Sequence, residues 1–204
     1  MIKATLHDLS ERNKKEDIKR LIKTGADINE QSSYGQTALY FACENNHTEI
    51  IKILLENHHI NVNLQDYSED SPFLRACSWN KYESVFLLIQ DARVDVNLPG
   101  NDWSPLMWAC WGGKTRVVQL LLSFGRYVDV NKKTTRDYKD SKSHIYKAGS
   151  TALTIARRKS EYDDEEIKIN KSIIVKLLEQ YQSSPAMTQQ TLRNQLHLKG
   201  KDKA

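Results

Sequence analysis

Residues Ser104 to Gly113 read SPLMWACWGG, and the meaning of this stretch lies in its recurrence along the chain. Thr37 opens TALYFAC, Ser71 opens SPFLRAC and Thr151 opens TALTIAR, so a hydroxyl residue, a Pro or Ala, an apolar residue and a fixed Ala return together. The step from Thr37 to Ser71 is 34 residues and that from Ser71 to Ser104 is 33; the last step, 47, is the same period carrying 14 inserted residues. Regular spacing of this kind marks a repeat architecture, in which each unit buries its apolar face against its neighbours. Each position has a physical task. The hydroxyls of Thr37, Ser71, Ser104 and Thr151 can accept from the free N–H groups of a helix's first turn, and Pro72 and Pro105 stand where a missing N–H costs nothing. Ala42, Ala76, Ala109 and Ala156 are small where stacked neighbours must come close.

The hexapeptide and its period resemble the ankyrin repeat, whose pattern is T-P-L-H-x-A. The resemblance covers about residues 4 to 181. It implies an all-α fold, a solenoid of stacked helix-turn-helix units with β-hairpin loops, with repeats at about 1–30, 31–64, 65–98, 99–131 and 132–181. The first unit lacks the hexapeptide and reads as a cap, with Leu6 and Leu9 in one helix, Ile18, Leu21 and Ile22 in the next, and Gly25 ending it. The endings GADIN, Val62-Asn63, Val96-Asn97 and Val130-Asn131 match the family's G-A-D-V-N. Asn46, Asn80 and Gly113 share one place between paired helices, where tolerance of positive φ is wanted. Two features depart from the pattern: Tyr40, Leu74, Met107 and Thr154 replace the consensus histidine, and Arg157 breaks the register of the cysteines.

The fifth repeat is interrupted twice. Lys132 to Ala148 lengthens the loop before Thr151, and its polar composition predicts a mobile segment dispensable for folding. About nine further residues, centred on Glu161 to Lys168, separate the two helices. The acidic run Asp163 to Glu166 suits a helix N-terminus, and Ile167, Ile174, Leu178 and Tyr181 then fall on one face of a long helix. Residues 182–204 read as a polar, basic and mobile tail, in which a short helix around Ala186 to Leu198 is left open.

Composition bounds the function. With 39% apolar and 27% charged residues in 204, the chain has the make-up of one soluble folded domain. No run approaches the roughly 18 apolar residues of a membrane span, and Met1 to Asp8 shows no signal-peptide core. We therefore expect an intracellular monomer, cytoplasmic or nuclear. Cys43, Cys77 and Cys110, each following the small alanine, read as reduced and buried apolar side chains. Zinc ligands would have to converge to about 2.3 Å from one ion, whereas repeats hold equivalent residues apart. A net charge of +4 spread over 56 charged residues is too mild to imply nucleic acid or membrane. No phosphate-cradling glycine loop, GxSxG, HExxH or CxxC is present, so no catalytic residue, metal or cofactor is assigned. His47 matches the family's G-H position and reads as a hydrogen-bonding tie between neighbouring turns.

The aromatic residues carry the functional expectation. All four tryptophans lie in repeats three and four. In the ankyrin family the loop tips and first-helix face form the concave surface that takes partners, and the resemblance puts Trp79, Trp103 and Trp111 on it. Trp108 is mid-hexapeptide, Phe41 and Arg75 take its place in other repeats, and Tyr34 and Tyr67 are near loop tips. These eight residues form the expected partner-binding set, because aromatic residues and arginine dominate binding hot spots. Core packing of Trp103 and Trp108 is the competing reading for those two. A protein–protein interaction module or adaptor of unidentified partner follows. The alternative is a nucleic-acid-binding protein using insert 132–148, whose Lys132, Lys133, Arg136, Lys139, Lys142 and Lys147 are interleaved with Tyr138 and Tyr146.

Overall fold

The computed structural model describes residues 5–140, 144–158, 160 and 163–198. Among them the chain forms α1 (Leu6–Glu11), α2 (Lys15–Lys23), α3 (Ala38–Glu44), α4 (Thr48–Leu55), α5 (Pro72–Ser78), α6 (Tyr82–Ile89), α7 (Pro105–Trp111) and α8 (Thr115–Ser123). There follow a hairpin of β1 (Tyr138–Lys139) and β2 (Ile145–Tyr146), then α9 (Ala152–Arg157), α10 (Glu165–Ser183) and α11 (Pro185–Gln195). The repeat appears in the backbone. Thr37, Ser71, Ser104 and Thr151 are extended, and each hydroxyl accepts the N–H three residues on, from Tyr40, Leu74, Met107 and Thr154. Each such cap is worth about 1 kcal/mol. Between paired helices Asn46, Asn80 and Gly113 hold φ of 58°, 58° and 64°, and Asn13 does the same at 55° in the first unit. Thr5 caps α1 in a reciprocal box with Asp8, so the first unit follows the common plan without the hexapeptide.

The chain divides into two compact units, residues 1–101 and 102–204. In the first, α1, α3 and α5 pack in one row and α2, α4 and α6 in a second, each of the second row paired with the helix before it. Ala42, Cys43, Ala76 and Cys77 are wholly buried in the first row, where small side chains allow neighbouring helices to approach. The repeat endings supply a ladder of side-chain bonds. Asn29 accepts the Asn61 N–H at 2.7 Å and donates to the His59 carbonyl at 2.9 Å; Asn63 does the same to Asp95 N–H and the Arg93 carbonyl, both at 2.8 Å. His47 Nδ1 meets the Ser10 carbonyl at 2.8 Å, the tie expected of it.

In the second unit α7 pairs with α8 and packs on α9, α10 lies against α8 and α9, and α11 closes over α8 and α10. Two expectations need correction here. The insert 132–148 is not an unpacked polar loop over its described residues. Tyr138 pairs with Tyr146 and Lys139 with Ile145 across the hairpin, and Thr134, Asp140 and Tyr146 are buried. Average polarity concealed two tyrosines that find tryptophan partners. Nor is the chain beyond Gln182 an unpacked tail over its described residues: α10 runs to Ser183, and α11, in the stretch where the sequence leaves a short helix open, buries Thr188 and Leu192, with Leu198 buried beyond it. Arg193 Nε donates to the Ser123 carbonyl at 2.8 Å, which joins α11 to the end of α8. The sequence KGKDKA at 199–204 lies outside the described residues, as do residues 141–143, Lys159, Glu161 and Tyr162.

Candidate interaction surface

The first unit brings five of the eight expected residues into its own framework. Tyr34 and Tyr67 occupy neighbouring loop tips, tied by the Tyr67 N–H to the Tyr34 carbonyl at 3.1 Å. Gly35 holds φ of 80°, and any Cβ there would meet the Tyr67 backbone and ring at under 3 Å, so the close approach of the two tips requires glycine. Both rings stand in solvent, 71% and 75% exposed. The second tip lies in the loop Asp66 to Asp70, which leads into α5, the helix that carries Arg75. Its guanidinium donates to Glu44 Oε1 from Nε at 2.9 Å and from Nη2 at 2.6 Å, lies 3.6 Å from Asp70 Oδ2, and sits 4.8 Å over the Trp79 ring. Trp79, the C-cap of α5, is 55% exposed. Phe41 is half-buried, stacked on His7 and edge-on to Tyr40. Arg75 is thus committed within the protein, and its stacking holds Trp79 in place.

The other three residues lie in the second unit and have a different fate. Trp103 is wholly buried, which corrects its placement beside Trp79 and Trp111 on an exposed face. Its ring centroid lies 5.0 Å from that of Trp108, 4.7 Å from Tyr138 and 5.1 Å from Tyr146, the last edge-on at 87°. Trp108 is half-buried against Tyr138 and Trp111, with both contacts edge-on. Trp111 is also half-buried, and the Arg158 guanidinium covers the Tyr146 ring at 5.0 Å. Tilted and edge-on geometries are those aromatic quadrupoles favour. The two tyrosines of the basic insert are therefore engaged in packing with the tryptophans.

A polar chain clasps the two interruptions of the fifth repeat together. Both oxygens of Asp140 lie 3.1–3.2 Å from His144 Nδ1, and His144 Nε2 lies 3.1 Å from Ser160 Oγ. The Ser160 N–H donates to Asp163 Oδ2 at 3.0 Å, and that oxygen pairs at 2.8 Å with Nζ of the buried Lys171 in α10. Lys171 Nζ also donates to the Arg158 carbonyl. Nothing in the repeat pattern pointed to these residues: each occurs once, within an insertion or facing one. Among the described residues no three His, Cys, Asp or Glu side chains gather as a metal site. The three cysteines are unpaired and buried, and burial pushes each thiol far above its ordinary range.

The family model for ankyrin repeats in three copies matches residues 6–100 and, in a second alignment, 75–183. The chain belongs to the ankyrin-repeat family. Curated proteins to which it is similar include the transient receptor potential cation channel subfamily A member 1 of Homo sapiens, 28% identical over 122 residues, which is 59% of this chain and 11% of the channel. Alpha-latrotoxin-Lg1a of Latrodectus geometricus is 29% identical over 139 residues, 67% of this chain and 9% of the toxin. The tyrosine-protein kinase HTK16 of Hydra vulgaris is 30% identical over 124 residues, 58% of this chain and 16% of the kinase. The chain thus matches only a small share of each of these relatives. The hairpin insert and the clasp both fall where the fifth repeat departs from the ankyrin period. No helix among the described residues is long and apolar enough to cross a membrane.

Proposed function

We propose that this ankyrin chain is a protein–protein interaction module, and that its partner seats on the first unit over Tyr34, Tyr67, Arg75 and Trp79. The observation that carries the reading is the exposure of three large aromatic rings, at 71%, 75% and 55%, on a framework that fixes their positions. Exposed apolar surface of this kind costs free energy in water and marks interaction sites on folded proteins. Rigid aromatic side chains give contact area at little entropic cost. Ankyrin repeats generally mediate protein–protein interaction. The relatives named above are a channel, a toxin and a kinase, and each shares only a small part of its length with this chain, which favours a common binding module over a common activity.

The test is capture from a lysate by the full chain, followed by mass spectrometry and a binding titration of the protein recovered. A Tyr67→Ala/Trp79→Ala variant should lose the partner, each hot-spot aromatic contributing about 2 kcal/mol, or roughly thirtyfold in Kd. Tyr127→Ala, at a ring 76% exposed in the second unit, is the control and should retain it. Equal capture by wild type and the double variant would overturn the assignment. The nucleic-acid reading has weaker support, since Tyr138 and Tyr146 pack against tryptophans and Lys147 pairs with Asp137 at 2.8 Å.

A further inference from the structure

The proposed face carries negative charge that the protein does not itself balance. Glu44 and Asp70 flank Arg75, and Asp66 stands beside Asp70, three carboxylates near one guanidinium. Arg75 is bound closely to Glu44 at 2.6 Å and is only 3.6 Å from Asp70. Asp66 is buried and uses Oδ1 on the N–H groups of Ser68 and Asp70, each at 2.9 Å. Glu69, exposed in the same loop, accepts the Asn101 N–H. Asp70 shows the consequence: burial, and then the neighbouring Asp66, push its carboxyl up to about 6 despite the opposing pull of Arg75. A second cation arriving from outside would relieve this crowding.

The charge of the whole first unit points the same way. Residues 1–101 contain eleven Lys and Arg against fifteen Asp and Glu, whereas residues 102–204 contain nineteen against eleven. The first unit therefore has the opposite sign to the chain's net +4. Exposed aromatic rings beside unbalanced carboxylates suit a side chain that is both cationic and able to stack. Trp79 already receives one guanidinium in this way, from Arg75. Resting on the protein-partner reading above, we infer that this face recognises a basic segment, whose Lys or Arg side chains stack on Tyr34, Tyr67 or Trp79 and pair with Asp70 and Glu44.

The probe is a fluorescein-labelled peptide of alternating Arg and Ser, with alternating Glu and Ser as the opposite-charge control. Both are titrated against the full chain by fluorescence anisotropy at about 50 mM and about 300 mM salt. The Arg peptide should bind about tenfold tighter than the Glu peptide at the lower salt and lose much of that advantage at the higher. Asp70→Asn keeps the side chain's size and the Arg75–Glu44 pair, and it should weaken the Arg peptide about threefold or more while circular dichroism shows an unchanged fold. Tighter binding of the Glu peptide overturns the inference, as does an Arg-peptide affinity unchanged by Asp70→Asn. The captured partner separates this inference from the reading beneath it. Capture lost in Tyr67→Ala/Trp79→Ala but indifferent to Asp70→Asn refutes the basic segment alone; capture indifferent to both removes the binding face itself.

Discussion

Asp70 and Trp103 show how far the surroundings set what a single side chain does. Asp70 has Asp66, Arg75 and Tyr40 about it, and burial outweighs the one long contact with Arg75. Its folded-state value of about 6 lies above the ordinary 3.8, so the folded protein holds this proton more tightly than the unfolded chain does. Stability from this group is therefore full below about pH 4, falls as pH rises towards 6, and stays reduced above. Asp70→Asn should raise stability at pH 7.5 by about 1–2 kcal/mol and leave it unchanged at pH 4. Thermal melts of both proteins across that range check this; parallel curves would show that ionised Asp70 costs nothing. The tryptophans separate by the same reasoning. Trp103→Ala should cost about 3–5 kcal/mol, because the cavity it leaves is walled by Trp108, Tyr138 and Tyr146. Trp79→Ala, at a ring more than half exposed, should cost under about 1 kcal/mol, and a chemical denaturation curve of each distinguishes them.

Among the elements, the hairpin insert and α10 depart furthest from the ankyrin plan, and they are joined. Tyr146 on β2 packs on Trp103 and beneath Arg158, while Asp140 and His144 reach Ser160, and through Asp163 the line ends at Lys171 in α10. Replacing residues 132–148 with a short glycine-containing loop should therefore lower the melting temperature by several degrees, since it uncovers Trp103. Lys171→Met should cost about 3–5 kcal/mol by removing the buried ammonium that Asp163 pairs with at 2.8 Å. Adding Asp163→Asn to Lys171→Met should recover part of that loss, as measured by urea denaturation. No recovery would mean that Lys171 acts through packing of its stem and not through charge.

Across the molecule, the two halves differ in charge and in how closely they keep to the repeat. The first has a net negative sequence and two rows of helices in register; the second is strongly basic and interrupted. Three cysteines sample both halves: Cys43 and Cys77 report on the first unit and Cys110 on the second. All three are fully buried, so a thiol reagent should label the native protein slowly and only through opening of the unit concerned. Labelling at rising urea, followed residue by residue by mass spectrometry, should give Cys43 and Cys77 a common midpoint. Rapid labelling of either in the native state would contradict their place in the core.

The repeat was legible because it is written several times. Four hydroxyl caps, the positive-φ turn at Asn46, Asn80 and Gly113, the small alanines and the buried cysteines are each local requirements of one helical hairpin, and agreement between copies separates them from chance. Tyr34, Tyr67 and Trp79 could be placed at tips and helix ends by the same registry. What stood beyond reach was whatever happens once. Trp103 occupies a repeat position, yet its burial depends on Tyr138 and Tyr146, which come from an insert with no second copy to compare. Asp140, His144, Ser160 and Lys171 are separated by two interruptions, and no period relates them. The burial of Asp70 likewise depends on the elements packed about it, although the carboxylate that crowds it, Asp66, is four residues away in the same loop. Periodic, short-range signals specify the hairpins and their stacking, whereas burial and charge at particular atoms depend on contacts between segments distant in the chain, and those exist only once it has folded.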